Sequence, residues 1–417
     1  MMIRLPAGKP DLRQYERGKY YSTDAITDHA LDFIADARQT PSKPWFLYLA
    51  YNAPHFPLQA PIAEIAKYAH TYEKGWDAIR ADRLERMKKL SVLSQETDLS
   101  PRSPAMNSAT TKRDGFEGQP NPAWSSLDPA RQADLARRMA VYAAAVDRMD
   151  QQIGRLISDL KAHGELENTL ILFLSDNGAC AEWDPYGFDL SFDPNRPIEP
   201  GRGISVGTPD KPNILHTGAA LDAMGGPGSY FGYGSGWANA CNTPFRMYKH
   251  YVHEGGISTP LIVHWPTGIH AHGEFRPHVG HIMDIMATCL DVAGAKYPSQ
   301  MNGNDITPTP GISLAPTFTT DKSASRRDYL AWEHEGNRAI RQDKWKLVAL
   351  AGQKWELYDI EADRAEEHDL ASAQPNKVAA LAKLYNEWAA KVGAPHAREA
   401  NTSTIESKGP QVSQNPD

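Results

Sequence analysis

Residues Thr169 to Gly178 read TLILFLSDNG, an apolar run that stops at two oxygen-bearing side chains and a glycine. The unbroken stretch from Leu170 to Leu174 reads as a buried parallel strand covered on both faces. Asp176 and Asn177 then stand at its carboxyl end, where open α/β sheets place their ligands. Both are hard oxygen donors of the type that Ca²⁺ and Mg²⁺ prefer. The competing reading is that Asp-Asn-Gly is a good turn and nothing more. A second strand pattern, Trp45 to Ala50, runs into Tyr51-Asn52-Ala53-Pro54-His55-Phe56-Pro57. Its two prolines fix an extended loop around His55. That imidazole is either placed for chemistry or an incidental member of a rigid surface turn.

The elements that must position these residues alternate between helix and strand. Asp24 to Ala37 has Ile26, Ala30, Leu31 and Ile34 at helical spacing, with Thr23 or Asp24 as cap. Leu127 to Lys161 is the longest helical signal: Met139, Tyr142, Val146, Met149, Ile153, Leu156, Ile157 and Leu160 share a face, and Gly164 suits its stop. Thr259 to Pro266 reads as a further strand. His281 to Val292 reads as a helix turning Ile282, Ile285, Met286, Cys289 and Leu290 to the core. Helix followed by buried strand predicts an α/β fold with a mostly parallel sheet flanked by helices, assigned to residues 1–322. From about Arg326 the runs shorten (329–332, 338–341, 345–349, 355–359), which predicts a small antiparallel sheet closed by an amphipathic helix over Val378 to Val392. That second domain is assigned to 323–396, and the polar residues 397–417 are expected to be disordered. Ser91 to Asn121 reads as a polar surface insertion. Ala179 to Gly236 is long, aperiodic and rich in Gly and Pro, as functional loops are.

Composition excludes several classes. The 417 residues are 41% hydrophobic and 23% charged with a formal charge of −7, which is ordinary for a globular protein and gives no basic stripe for nucleic acid or an anionic membrane. No apolar stretch approaches the ~20 residues that span a bilayer. Three cysteines, Cys180, Cys241 and Cys289, are too few and too scattered for a disulfide framework or a zinc knuckle. The first residues show no positive segment followed by an apolar one, so no secretory signal is read there.

Several pieces occur together in one order: YNAPHFP around His55, VYAAAVDRMDQQIG at 141–154, LSDNG at 174–178, TPFRMYKHYVHEGGISTPLIVHWP at 243–266 and ELYDIEADRAEEHDL at 356–370. In this combination the chain resembles the sulfatase family of the alkaline-phosphatase superfamily, from about Tyr20 to the closing helix. The resemblance implies an alkaline-phosphatase-like α/β fold and hydrolysis of sulfate monoesters. It implies Asp176 and Asn177 as ligands of a divalent metal, usually Ca²⁺, and His55 as the histidine that bonds the sulfate. Lys249 matches the lysine that holds the sulfate oxygens. Those types suit the chemistry, since a sulfate ester spreads negative charge that a lysine, an imidazole and a metal stabilise. Against this, Lys249 could be one more solvated cation. His250, His253 and His264 are read as structural. The Glu254-Gly255-Gly256 turn is read as serving tight backbone packing with glycine at positive φ.

The same resemblance implies parts that are not found here. Two adjacent aspartates on a first strand, a Cys- or Ser-x-Pro-Ser/Ala-Arg segment that yields the formylglycine nucleophile, and a further lysine and histidine have no match. In Cys241-Asn242-Thr243-Pro244-Phe245-Arg246 the proline and arginine sit one position too far on, and Cys180 has no such pattern. The expectation is therefore an N-terminally truncated sulfatase, poor in metal affinity and inactive alone for want of a nucleophile. Alternatives are a phosphate or phosphonate monoester hydrolase of the same superfamily, and a non-catalytic remnant that binds a sulfated glycan or a protein partner. The expected ligand is a small sulfate ester or a glycan, with neither nucleic acid nor membrane as partner. Family members are often periplasmic or secreted.

Overall fold

Two long helices run side by side in the same direction in the first part of the chain. The computed structural model describes residues 13–16, 18–105, 116, 118–182, 184–189, 214–318 and 327–394. The chain divides into two units, Met1–Lys249 with Glu254–Arg326, and His250–His253 with Arg327–Asp417. In the first unit α1 (Ser22–Ala37) buries Ala25, Ile26, Ala30 and Ile34, the stripe expected of its spacing. Short α2 (Ile62–Ala66) and α3 (Gly75–Lys89) precede α4 (Pro129–Ala162). Asp128 caps α4 by accepting from the Arg131 amide at 2.9 Å, and Pro129 occupies a first-turn position that needs no donor. Gly164, at φ 70°, ends it, and the Glu165 amide returns to the Leu160 carbonyl. α1 lies along α4, held by Arg148 to Asp24 at 2.8 and 2.6 Å and by Arg155 to Asp28 at 2.7 Å.

Beyond α4 the strands are short: β1 (Ile171–Leu174), β2 (Phe188–Asp189), β3 (Phe231–Gly232) and β4 (Leu261–His264). Between and after them lie α5 (Ala219–Ala223), α6 (Gly234–Cys241), α7 (Glu254–Ile257) and α8 (Met283–Val292), then a small hairpin of β5 (Gln300–Met301) and β6 (Asn304–Asp305). Two features hold the interior. Trp76, Trp124 and Trp237 meet edge to face or tilted at 4.9–5.7 Å between ring centres. Arg138 of α4 is wholly buried and donates to Asp134 at 2.8 Å, to Asp189 at 2.6 Å and to the carbonyls of Gly232 and Ile214 at 3.1 and 3.0 Å. Around Arg138 the helix is buried on several sides, because Ala140, Ala143, Ala144 and Ala145 let neighbours approach closely.

Four expectations are corrected. The mixed helix and strand character holds, but every ladder among the described residues is antiparallel. β1 pairs with β4, Ile171 opposite His264 and Leu174 opposite Leu261, and has no second neighbour among the described residues. A buried parallel strand needs partners on both edges, and the candidate at 45–50 forms no ladder: Phe46 and Tyr48 are exposed, as is Phe173 of β1. In α8 the buried residues are polar. Asp284 accepts from the His281 and Ile312 amides, both at 2.9 Å, and Thr288 accepts from the Leu314 amide at 2.8 Å, while Ile282 and Met286 face outward. Finally, Ser91 to Asn121 is not simply a surface insertion. Ser100, Ser103 and Asn121 are buried and bonded to Arg80, Asn239 and Ser235. Residues 106–115 of that segment, and 190–213 of the long loop, lie outside the described residues.

The second unit is a meander of β7 (Leu330–His334), β8 (Asn337–Gln342), β9 (Trp345–Ala349) and β10 (Glu356–Asp359), antiparallel throughout, with α9 (Pro375–Val392) packed on one face. Leu381, Tyr385 and Ala389 meet Ile340, Leu347 and Leu357, the i, i+4, i+8 stripe of a helix covering a sheet. The residues from 397 onward lie outside the described residues. Among the described residues no helix is long and apolar enough to cross a membrane.

Candidate functional site

His55 and Lys249, 194 residues apart in sequence, meet with Lys249 Nζ 3.0 Å from His55 Nε2. The imidazole is held from its other side by the Phe56 carbonyl, 2.9 Å from Nδ1. A carbonyl only accepts, so Nδ1 carries a proton, and a neutral ring then offers the Nε2 lone pair to the ammonium. The His55 ring rests on Phe56 at 4.2 Å, and Phe56 in turn meets Phe188 edge to face at 4.8 Å. Both prolines around His55 follow cis peptide bonds. The loop is thus anchored, while the imidazole itself stays exposed.

Lys249 is set by backbone contacts rather than by a regular element. Its amide donates to the Ala179 carbonyl at 3.1 Å, and the Gly178 amide donates to the Gly256 carbonyl at 2.9 Å. Asn242 bridges the same two segments, accepting from the Ala179 amide and donating to the Met247 carbonyl, each at 3.0 Å. Ser103 accepts from the Met247 amide at 2.9 Å, and Tyr248 donates its hydroxyl to the Pro104 carbonyl. Gly178 is required here: a Cβ would overlap the Gly255 carbonyl oxygen and come within 3.0 Å of Gly256 Cα. The packing expected of the Gly255-Gly256 pair is present, but neither glycine has positive φ. Their value lies in closeness, since a Cβ on Gly255 would strike the Arg246 and Met247 carbonyls.

Asp176 and Asn177 follow β1 as the sequence placed them. Asp176 is exposed and Asn177 half-buried, its Nδ2 donating to the Gly178 carbonyl at 3.0 Å so that Oδ1 is turned away from its own backbone. Among the described residues, the bonds that relate them to Lys249 run through the backbone at 178–179 and the Asn242 side chain. By type they suit a hard cation. Yet Ca²⁺ takes six to eight oxygens, and among the described residues no further His, Cys, Asp or Glu completes a group of three with Asp176. The residues present therefore do not by themselves fit a resident Ca²⁺ ion.

One residue beside Lys249 escaped sequence reading. Glu182, nearly buried, has Oε1 3.8 Å from Lys249 Nζ and Oε2 accepting from the Cys180 thiol. Burial first and this carboxylate second push the Cys180 thiol far up, so it stays protonated and is a poor nucleophile. Burial also raises Cys241 and Cys289, and all three cysteines are free. An acidic residue four positions past Asn-Gly carries no motif. Only the fold shows that it faces the lysine.

Comparison with known proteins gives the family directly. The chain belongs to the sulfatase family, whose model matches residues 2–295, and a model described as N-sulphoglucosamine sulphohydrolase, C-terminal, matches residues 245–391. It is 30% identical over 380 residues to an uncharacterized sulfatase of Schizosaccharomyces pombe, covering 90% of this chain and 62% of that one. It is also 30% identical over 311 residues to an arylsulfatase of Klebsiella aerogenes, covering 74% and 58%. The chain thus spans about three-fifths of the length of these curated relatives. Among solved structures, BT4656 in complex with its substrate D-glucosamine-2-N,6-O-disulfate superposes with a TM-score of 0.51 at 20% identity, over 91% of this chain and 72% of that one. That likeness concerns the fold.

Proposed function

We propose that this chain carries the oxyanion-holding face of a sulfuric ester hydrolase, with sulfate monoesters of small molecules or glycans as ligands. One observation carries the reading: the 3.0 Å contact of Lys249 with His55, over a backbone tied to the segment of Asp176 and Asn177. Lys249 supplies a fixed positive charge for the equatorial oxygens. His55, with Nδ1 committed to Phe56, presents Nε2 to the same space, and with both ring nitrogens protonated it would donate from there to the anion. Both effects grow as charge gathers on the leaving oxygen. A divalent metal, which the family uses, would need oxygen ligands beyond the two that Asp176 and Asn177 offer. The sulfated-sugar complex of BT4656 and the arylsulfatase name of the Klebsiella relative support sulfate esters of either kind as ligand class.

Alone, the chain is expected to bind and not to turn over. None of its cysteines lies in the segment that yields formylglycine, and the Cys180 thiol is held protonated beside Glu182. Titration with 4-nitrophenyl sulfate tests both halves of the proposal, with 4-nitrophenyl phosphate as comparison. Lys249→Ala should weaken sulfate-ester binding by about 10- to 150-fold, the ~1.5–3 kcal/mol of a hydrogen bond to a charged group. Unchanged affinity in that variant would refute the site. Release of 4-nitrophenol by the chain would refute its inactivity. Tighter binding of the phosphate would move the reading to a phosphate or phosphonate monoester hydrolase.

A further inference from the structure

We propose that His250, His334 and Glu335 form a binding site for a first-row divalent cation of borderline softness, with Zn²⁺ as the probe. All three belong to the second unit. Their ligand atoms lie within 4.8 Å of one another. His250 Nδ1 is 3.0 Å from Glu335 Oε2, and His334 Nε2 is 3.9 Å from Glu335 Oε1. The two imidazoles are stacked, 5.7 Å between centres and 29° between planes. Two imidazoles and one carboxylate are donors that zinc takes, leaving a fourth position for water. A tetrahedral zinc wants its ligand atoms roughly 3.3 Å apart. The necessary closure falls on His334 and Glu335, whose side chains are more than half exposed and can rotate.

The backbone points to the same place. His334 is paired with Asn337 across a turn of Glu335 and Gly336, both in the left-handed region at φ 53° and 82°. This is the mirror-image turn that suits hairpins, and its first position ordinarily holds Asn, Asp or Gly. A glutamate there accepts an unfavourable conformation, and His250 does so as well at φ 81°. Residues held in such conformations gather at ligand clamps. Asn337 fixes the geometry: its Nδ2 donates to the His250 carbonyl at 3.0 Å, and its Oδ1 accepts from the Ala351 amide at 3.1 Å. His250 is thereby tied to the hairpin that carries the other two donors. The site differs in kind from Asp176 and Asn177, which offer only oxygens.

Calorimetric titration of the full chain with Zn²⁺, in excess Ca²⁺ and with the cysteines alkylated, tests this. We expect one Zn²⁺ per chain. His334→Ala should weaken binding roughly tenfold or more, as loss of a direct ligand must cost at least what loss of its support does. Glu335→Asn is the sharper variant. Asn-Gly is the preferred pair for this turn, so the hairpin is kept or improved while the carboxylate is lost. Weaker zinc binding with unchanged or raised thermal stability supports the site. Zinc affinity equal in the wild type and both variants, or no binding by the wild type, overturns it.

Discussion

Replacing Arg138 with alanine should cost about 3–5 kcal/mol of stability, the loss typical of removing one partner from a buried charge network. The guanidinium is inaccessible and serves two carboxylates, Asp134 and Asp189, that are themselves buried. Without it Asp134 is left with Arg131 at 3.4 Å and Asp189 with His216, and the Gly232 and Ile214 carbonyls lose a donor. Arg138→Met should fare little better, because volume is not what Arg138 supplies. Substituting all three charged residues with apolar ones of similar size should recover much of the loss, since a buried pair replaced whole is often neutral. Urea unfolding at neutral pH measures this, and a shift worth under ~1 kcal/mol for Arg138→Ala would refute it. The network also fixes a direction with pH. Burial alone would raise the Asp189 carboxyl, but Arg138 and the His216 hydrogen bond overturn that and leave it below the usual carboxylate range. The unfolded chain therefore takes up this proton at a higher pH than the folded one. The contribution is complete above the ordinary aspartate range, near 4, and is lost as pH falls through the depressed folded value. The acid-side slope should be shallower in Arg138→Ala.

Gly178→Ala should destabilise by about 1–3 kcal/mol and weaken sulfate-ester binding as well. A Cβ at Gly178 is directed at backbone, the Gly255 carbonyl and Gly256 Cα, which cannot swing aside as a side chain would. Relief requires parting the two segments whose bonds place Lys249 beside Ala179. Gly154 is the matched control. It lies in α4 with open space where its Cβ would go, so Gly154→Ala should be neutral or stabilise by up to ~1 kcal/mol. Thermal melts with 4-nitrophenyl sulfate titrations of both variants would decide. Equal behaviour of the two would mean that the approach at Gly178 is not required.

The candidate site was more legible than the sheet. Asp176-Asn177 and His55 are marked by rigid neighbours, a strand end and a pair of prolines, whereas Lys249 stands out only through the resemblance to sulfatases. The structure brings His55 and Lys249 into contact, and the intervening backbone bonds and the Asn242 side chain relate them to the strand end. Helices with one apolar stripe, such as α1 and α9, were readable from spacing alone. What failed had a physical cause in each case. An apolar run such as Leu170 to Leu174 states that it wants cover, not which neighbour or direction provides it. Nothing in the sequence marks Arg138, because its carboxylate partner Asp189 lies 51 residues on. In α8 the polar Asp284 and Thr288 are buried because they receive loop amides, a use that hydrophobic periodicity cannot register. Ser103, Asn242 and Glu182 act on Lys249 through contacts that only tertiary structure creates.

Asn242 carries one more implication. By bonding the Ala179 amide and the Met247 carbonyl at once, it makes two segments 63 residues apart share a single opening event. The amides of Gly178, Ala179, Lys249 and Gly255 all donate across or within that junction. Their protons would then be released to solvent together, as one cooperative block rather than as frayed loop residues. Whatever anion Lys249 holds would slow all four, including amides that never touch it.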